Sequence, residues 1–461
     1  MKNVMIFSIP AHGHTNPILP VAKEIKAKGN SVRFYSFDEF KEKIEATGVE
    51  FISCTKHLLE ITAEEEAGLK RVSATEMTNQ SIKITLNMDE FLGKEVAEFR
   101  PDVIYSDSAC FWGKLTAIKY NIPMVVSTST FAFNQLSSKY MKNSLAELWD
   151  IIGGLPKISK ALKAMKPYGY HVRSALDLVQ SKNDTDSVVY TSTNFQPYVK
   201  SFSKHYAFVG PSVFSTTVPD KDSHRPLVYI SMGTVVNDRP EFYKTCIDAL
   251  KDLDIDVIIS CGNSVDPARF SGVSDNIKIY QSVNQLEVLC RANAFITHCG
   301  MNSVSEALYM ATPLILFPQT SEQYAVARRA SEIGVGAFLK DETVVSVRAA
   351  VQSILQNKSY ADCAQKCRED FLSCSGPNGA ADFITNAPHK DDSVDVIAEL
   401  NKETGKFQFI YWSIFIALII LFGSLVTWEF IWTLGILGGI LNHPITQAVQ
   451  LKIYKRIIKD M

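Results

Sequence analysis

Through the first two hundred residues, short unbroken apolar runs alternate with stretches whose apolar positions recur every three or four residues. Val4–Ile9 ("VMIFSI") is a continuous run of strand length. After it, Ile18, Val21, Ala22 and Ile25 fall at helical spacing between Pro17 and Gly29, and glycine is a favoured helix stop. Val32–Tyr35 reads as the next strand, and "PDVIYSD" (Pro101–Asp107), "IPMVVST" (Ile122–Thr128) and "SVVYTST" (Ser187–Thr193) continue the series. Strands without polar alternation, separated by helices, predict a parallel sheet covered on both faces.

Near Gly210 the pattern lapses into "VGPSVFSTTVPDKDSHRP", which reads as a linker, and then resumes. "PLVYISMG", "IDVIISCG", "IKIYQS", "NAFITHCG" and "TPLILFP" are five further strands. The predicted fold is therefore α/β, with two Rossmann-like doubly wound domains facing across a cleft. The divisions are residues 1–210, a linker at 211–226, and a second domain at 227–387. A charged connector (388–406), a hydrophobic segment (407–450) and a basic tail (451–461) follow.

The hydrophobic segment breaks the globular pattern. Phe407–Leu441 reads "FQFIYWSIFIALIILFGSLVTWEFIWTLGILGGIL", longer than the roughly 20 residues that cross a bilayer as one upright helix. Gly423-Ser424 and Trp428-Glu429 offer a break, so one tilted pass, or two near Gln408–Thr427 and Phe430–Gln450, are both open. Two passes would return the basic tail (Lys452, Lys455, Arg456, Lys459) to the starting side. Val4–Ile9 runs into a turn rather than a cleavage site, unlike a signal peptide. The expectation is a membrane-attached chain with its catalytic domains facing the cytoplasm. A net charge of -2 gives no electrostatic pull toward nucleic acid, and the nine cysteines include no Cys-x-x-Cys pair.

Candidate chemistry sits where strands end. "PAHGHTNP" (Pro10–Pro17) places His14 beyond the first strand and before a helix that Pro17 can open. The positive end of that helix disfavours a charged imidazole, and a neutral one can serve as a base. Asp107 ends another strand of the same sheet, so a His14–Asp107 pair and a simple helix cap are both available to it. A metal site at His12 and His14 lacks a third ligand. In the second domain His298 and Gly300 precede a helix opened by Asn302 and Ser303, whose N–H groups form an anion site. Glu306 lies about one turn in, within reach of ribose hydroxyls, and Ser231, Gly233 and Thr234 ("SMGT") end a neighbouring strand. "DLDID" (Asp252–Asp256) has the spacing of a metal–diphosphate site but falls at the amino end of a strand, away from the ligand edge.

Gln281–Gln323, "QSVNQLEVLCRANAFITHCGMNSVSEALYMATPLILFPQTSEQ", closely resembles the donor-binding signature of the UDP-glycosyltransferase superfamily. "GHTNP" and the aspartate of "YSD" match its catalytic positions, nearest to the bacterial macrolide-glycosyltransferase-like branch, over roughly residues 1–385. The resemblance implies a GT-B fold and an inverting, metal-independent transfer of a hexose from a UDP-sugar to a hydroxyl of a hydrophobic acceptor. It implies that His14 is the base and that Asp107 orients it. His298, Asn302 and Ser303 match diphosphate positions, Glu306 the ribose position, Gln285 and the backbone of Val283 the uracil segment, and Glu322 and Gln323 the sugar hydroxyls. Ser282 stands where an aromatic residue commonly stacks on uracil, Tyr280 lies close by, and Asn284 replaces a usual proline. Phe111-Trp112 and Phe131–Phe133 are expected to line the acceptor pocket; a membrane lipid or sterol is the alternative acceptor, and a non-catalytic nucleotide-sugar-binding partner protein is the alternative to an enzyme.

Overall fold

Two all-parallel sheets organise the computed structural model, which describes residues 1–59, 62, 65, 73–142, 145–170, 172, 184–213, 221, 225–234, 237–391, 393, 395–422 and 428–460. The first sheet contains β1 (Asn3–Phe7), β2 (Ser31–Ser36), β3 (Glu50–Ser53), β4 (Val103–Asp107), β5 (Met124–Thr128), β6 (Ser187–Val189) and β7 (Tyr206–Phe208). Their order is β3-β2-β1-β4-β5-β6-β7. The second sheet contains β8 (Leu227–Ser231), β9 (Asp256–Ser260), β10 (Ile277–Tyr280), β11 (Ala294–Thr297), β12 (Leu314–Leu316) and β13 (Gly336–Phe338). Its order, β10-β9-β8-β11-β12-β13, repeats the same winding. In each sheet the order reverses at one place, between β1 and β4 and between β8 and β11. Loops leaving those strands part in opposite directions, which opens a crevice beyond their carboxyl ends.

The strands form because both of their faces are buried. Val4–Phe7 and Val103–Tyr105 are fully buried, with Met5 beside Ile104 in register. Helix Ile18–Ala27 covers one face through Ile18, Val21, Ala22 and Ile25. Helices Ala74–Phe99 and Phe111–Tyr120 cover the other, through Met88, Leu92 and Trp112. The second core gathers Val228, Ile230, Val257 and Ile259 against Phe242, Cys246 and Val347. All nine cysteines are unpaired.

Two placements differ from the linear reading. Helix Gly376–Thr385 lies within the expected second domain, yet Ala380, Ala381 and Ile384 are buried with Val4, Ile18 and Val21 of the first core. An ion pair between Lys28 Nζ and Asp382 Oδ1 at 2.6 Å flanks that contact. The apolar face left on the sheet side of Ile18–Ala27 is covered from far along the chain. The second difference concerns the expected acceptor aromatics. Phe111, Trp112 and Phe131 are buried, packed respectively on Ile82, on Phe37 and on Phe195, so they are core rather than pocket wall.

The chain divides into two compact units, residues 1–197 with 206–389, and residues 198–205 with 390–461. In the second unit, helices Val396–Phe422 and Trp428–Asp460 run antiparallel. Gln408 and Asn442 exchange side-chain hydrogen bonds at 3.1 and 3.0 Å, and Arg456 donates to Glu403 at 2.9 Å. Among the described residues no helix is long and apolar enough to cross a membrane. The expected membrane segment, 407–450, falls for the most part outside the described residues, because the side chains of 417–441 are not among them.

Candidate active site

Pro17 stands at the N-cap of helix Ile18–Ala27, where the sequence places the helix start. His12–Thr15 forms a short helical turn of its own before Ile18–Ala27. It is anchored by buried Thr15, whose hydroxyl donates to Ser8 Oγ and to the Ile9 carbonyl, each at 3.1 Å. That anchor presents His14 at the first sheet's crevice. His12 packs edge-on against Phe40, with ring centroids 5.0 Å apart.

Asp107 ends β4 on the other side of the same crevice and is fully buried, whereas the His14 side chain is 31% exposed. His14 Nδ1 and Asp107 Oδ2 are 2.8 Å apart. The second carboxylate oxygen accepts the Ala109 N–H at 2.8 Å. Asp107 thus serves as the histidine partner, and its other oxygen closes a turn before helix Phe111–Tyr120, which has no side-chain cap. A carboxylate only accepts, so Nδ1 carries the proton and Nε2 keeps its lone pair. Burial works against a charged ring. The Asp107 charge and hydrogen bond, with the Glu322 charge added, outweigh it and leave the His14 pKa above the ordinary histidine value. The helix-terminus argument for a depressed value is therefore overridden by a contact of 2.8 Å. Ser129, just past β5, places Oγ 3.3 Å from the same Nδ1. It was not among the expected residues, although the strand-end rule that singles out Asp107 applies equally to it.

The second sheet's crevice is built around His298, which follows β11. Gly233, at φ +76°, and Gly300 flank its ring. A Cβ on either would lie 2.5 Å from His298 Nε2, so neither position accepts a side chain without moving the ring. Burial pushes the His298 pKa down to about 4, partly offset by a hydrogen bond with the Ser231 backbone. The ring is therefore neutral, and its buried Nδ1 has no partner among the described residues. Such an orphan is expected where a ligand supplies the missing partner. Buried Ser231 and exposed Thr234 border Gly233 in the turn after β8.

Helix Met301–Tyr309 begins at Gly300 and carries three expected residues. Glu306 Oε2 accepts from Gln285 Nε2 at 2.7 Å, and Ser303 Oγ is 3.4 Å from the same nitrogen. Burial raises the Glu306 pKa, with the Gln285 amide working against the rise. Asn302 instead donates across the cleft to the Gly13 carbonyl at 2.8 Å, tying this helix to the His14 turn. Half-buried Val283 and exposed Ser282 follow β10, and Tyr280 at its end is 44% exposed. Glu322 and Gln323 open helix Ser321–Glu332, where Gln323 Oε1 accepts the Gln319 N–H at 2.8 Å. Asp254 and Asp256 of the metal-like "DLDID" pair with Arg225 at 3.0 and 3.4 Å, and Asp252 lies 3.7 Å from Arg348, at the amino end of β9.

Residues 244–386 match the family model described as the erythromycin biosynthesis protein CIII-like C-terminal domain. The Bacillus licheniformis NDP-glycosyltransferase YjiC is 33% identical over 394 residues, which cover 83% of this chain and 97% of that protein. This chain belongs to the UDP-glycosyltransferase superfamily. The Bacillus subtilis protein described as an uncharacterized UDP-glucosyltransferase, YojK, is 30% identical across 84% of this glycosyltransferase and 98% of its own length. The crystal structure of the kitacinnamycin glycotransferase superposes with a TM-score of 0.71 at 22% identity, over 83% of this chain and 98% of that one. The fold is thus the two-domain GT-B arrangement of parallel sheets, and the enzyme works with a nucleotide-sugar co-substrate. The match to the family model ends at residue 386, before the hydrophobic C-terminal segment.

Proposed function

We propose that this glycosyltransferase moves a hexose from a UDP-sugar to a hydroxyl of a hydrophobic small molecule, with inversion at the anomeric carbon. The observation that carries the reading is the 2.8 Å pairing of His14 Nδ1 with Asp107 Oδ2, which leaves Nε2 as a free base. In the reaction, Nε2 takes the acceptor's hydroxyl proton as that oxygen bonds to the anomeric carbon. The bond from this carbon to the diphosphate oxygen breaks, and UDP leaves with the electron pair. Asp107 stabilises the imidazolium that forms. The N–H groups opening helix Met301–Tyr309, with neutral His298 and Asn302, receive the negative charge on the departing diphosphate. Glu306 and Gln285 face the nucleoside, Ser231, Gly233, Thr234 and Ser303 the phosphates, and Glu322 and Gln323 the sugar hydroxyls.

The test is product formation by His14→Ala against wild type, with a panel of UDP-sugars and hydrophobic alcohols. Loss of about 10²–10⁴ in rate is expected for removal of a general base. Unchanged turnover would overturn the mechanism.

A second reading concerns the acceptor and the location. Phe409, Ile410, Ile414 and Ile416 are exposed on the first helix of the C-terminal hairpin. The sequence continues apolar to Leu441 and closes on Lys452, Lys455, Arg456 and Lys459. These features support a hairpin seated in a bilayer, with the catalytic domains on the cytoplasmic face and a lipid or sterol as acceptor. Under this reading, transfer to lipid acceptors in vesicles exceeds transfer to soluble alcohols. A preference for soluble alcohols under the same conditions would remove it.

A further inference from the structure

Three residues outside the expected site form a chain that ends at Gln323, through the backbone N–H of Gln319. Arg239 precedes helix Pro240–Leu250, Gln319 follows β12, and Glu342 follows β13, so all three stand at the carboxyl edge of the second sheet. Arg239 Nη1 donates to Gln319 Oε1, and Nη2 donates to Glu342 Oε1 at 2.7 Å. The guanidinium also lies 5.5 Å from the centroid of the Phe317 ring. Gln319 Nε2 donates in turn to the Phe317 carbonyl at 2.8 Å. Both ends of the Gln319 amide are therefore held, and its backbone N–H is aimed at Gln323 Oε1, 2.8 Å away.

We infer that Arg239 is a positioning residue of the donor-sugar site, acting through Gln319 to fix which atom of Gln323 faces the sugar. The inference rests on the proposal that Glu322 and Gln323 hold the sugar hydroxyls. A side-chain amide has one oxygen that accepts and one NH₂ that donates. With the oxygen holding the Gln319 N–H, the amide is fixed in one of its two orientations, and its NH₂ is the group left to meet a ligand. Neighbouring Glu322 presents only acceptors. The site then requires one hydroxyl that accepts from Gln323 and another that donates to Glu322. A sugar lacking the first hydroxyl leaves the Gln323 NH₂ unpaired, so hydroxylated hexoses are favoured over deoxy analogues. Without Arg239 the Gln319 side chain loses one of its two anchors, the backbone at Gln319 can turn its N–H away from Gln323 Oε1, the Gln323 amide is then able to flip, and the discrimination weakens. The guanidinium is needed because a planar fork can serve Gln319 and Glu342 together, which the point charge of a lysine cannot.

The experiment measures kcat/KM for UDP-glucose and for analogues each lacking one ring hydroxyl, with UDP affinity measured by calorimetry on the same proteins. Wild type is expected to lose about 10²-fold or more on the analogue missing the Gln323 partner. Arg239→Ala and Gln319→Leu reduce that penalty to less than roughly 10-fold while UDP affinity stays within about twofold, and Arg239→Lys falls between. Gln319→Leu keeps the Arg239–Glu342 pair, so it carries the test if Arg239→Ala fails to fold. An unchanged penalty in both variants overturns the inference. So does a penalty that falls together with UDP affinity, because general loosening of the domain would do that. Transfer from no UDP-sugar by wild type overturns the functional reading beneath it.

Discussion

Asp107 divides its two oxygens between His14 and the Ala109 N–H, so a change of one atom there alters proton location without altering volume. In Asp107→Asn the amide can turn its NH₂ toward Nδ1, which moves the imidazole proton to Nε2 and removes the base. The expected loss in kcat is about 10³–10⁴, the scale of a wrong-tautomer defect. The pH profile separates this from simple damage. His14 must be neutral to act, and its pKa is raised above 6.5, so wild-type kcat/KM climbs through an acid limb centred above that value. With Asp107 gone, the remaining raising influence is the weaker Glu322 charge against burial, so the limb of the residual activity moves to lower pH. A limb that stays in place would show that it belongs to another group. His14 and Asp107 are legible in the sequence because both stand where an apolar run ends, and the parallel sheet brings such ends to one edge. Arg239 was not legible. Its partner Gln319 is 80 residues away, and neither residue type signals a sugar site until folding joins them.

At the scale of elements, the crevice depends on how closely helix Phe111–Tyr120 approaches β1 and β4. Gly113 makes the approach possible. A Cβ there would sit 2.4 Å from Ser106 Oγ and 2.8 Å from Phe7 Cβ. Gly113→Ala is expected to cost about 1–3 kcal/mol of stability, an overpacking penalty, read as a lowered midpoint in urea unfolding. It should also lower kcat, because the displaced strands are those that deliver His14 and Asp107. Full stability with full activity would mean that the helix slides without cost. The strands legible from the sequence are those with long apolar runs. β3 ("EFIS"), β7 ("YAF") and β13 ("GAF") are three or four residues long and carry partly exposed side chains, so their patterns are too short to stand out. Phe111, Trp112 and Phe131 were misassigned for a related reason. An aromatic residue after a strand looks the same in sequence whether it faces a ligand or the next helix, and packing decides which.

At the scale of the molecule, the proposed bilayer-seated hairpin, if formed by the antiparallel helices Val396–Phe422 and Trp428–Asp460, has a topology that can be tested. Under that proposal the full chain sediments with membrane vesicles, and with a tag at each end both tags are cleaved by protease added to the cytoplasmic side; a chain that stays in the supernatant removes the proposal. Protection of the C-terminal tag alone would replace the hairpin with a single pass. The winding of the two sheets was legible from alternating strand and helix patterns, whereas the return of Gly376–Thr385 to the first core was not. Its apolar face is as short as that of any surface helix, and nothing local names the surface it covers. That return has a consequence for synthesis. Ribosomes add about 5–20 residues per second, so the N-terminal half is out for many seconds before its last core helix exists. During that interval Val4, Ile18 and Val21 lack the cover that Ala380, Ala381 and Ile384 later supply. Residues 1–210 made alone should aggregate, and co-expression of the remainder should restore solubility. A soluble, monomeric N-terminal half would show that the first core closes without its distant helix. The helix thus works as a late seal, and the half that holds the base is finished only after the half that holds the donor has been made.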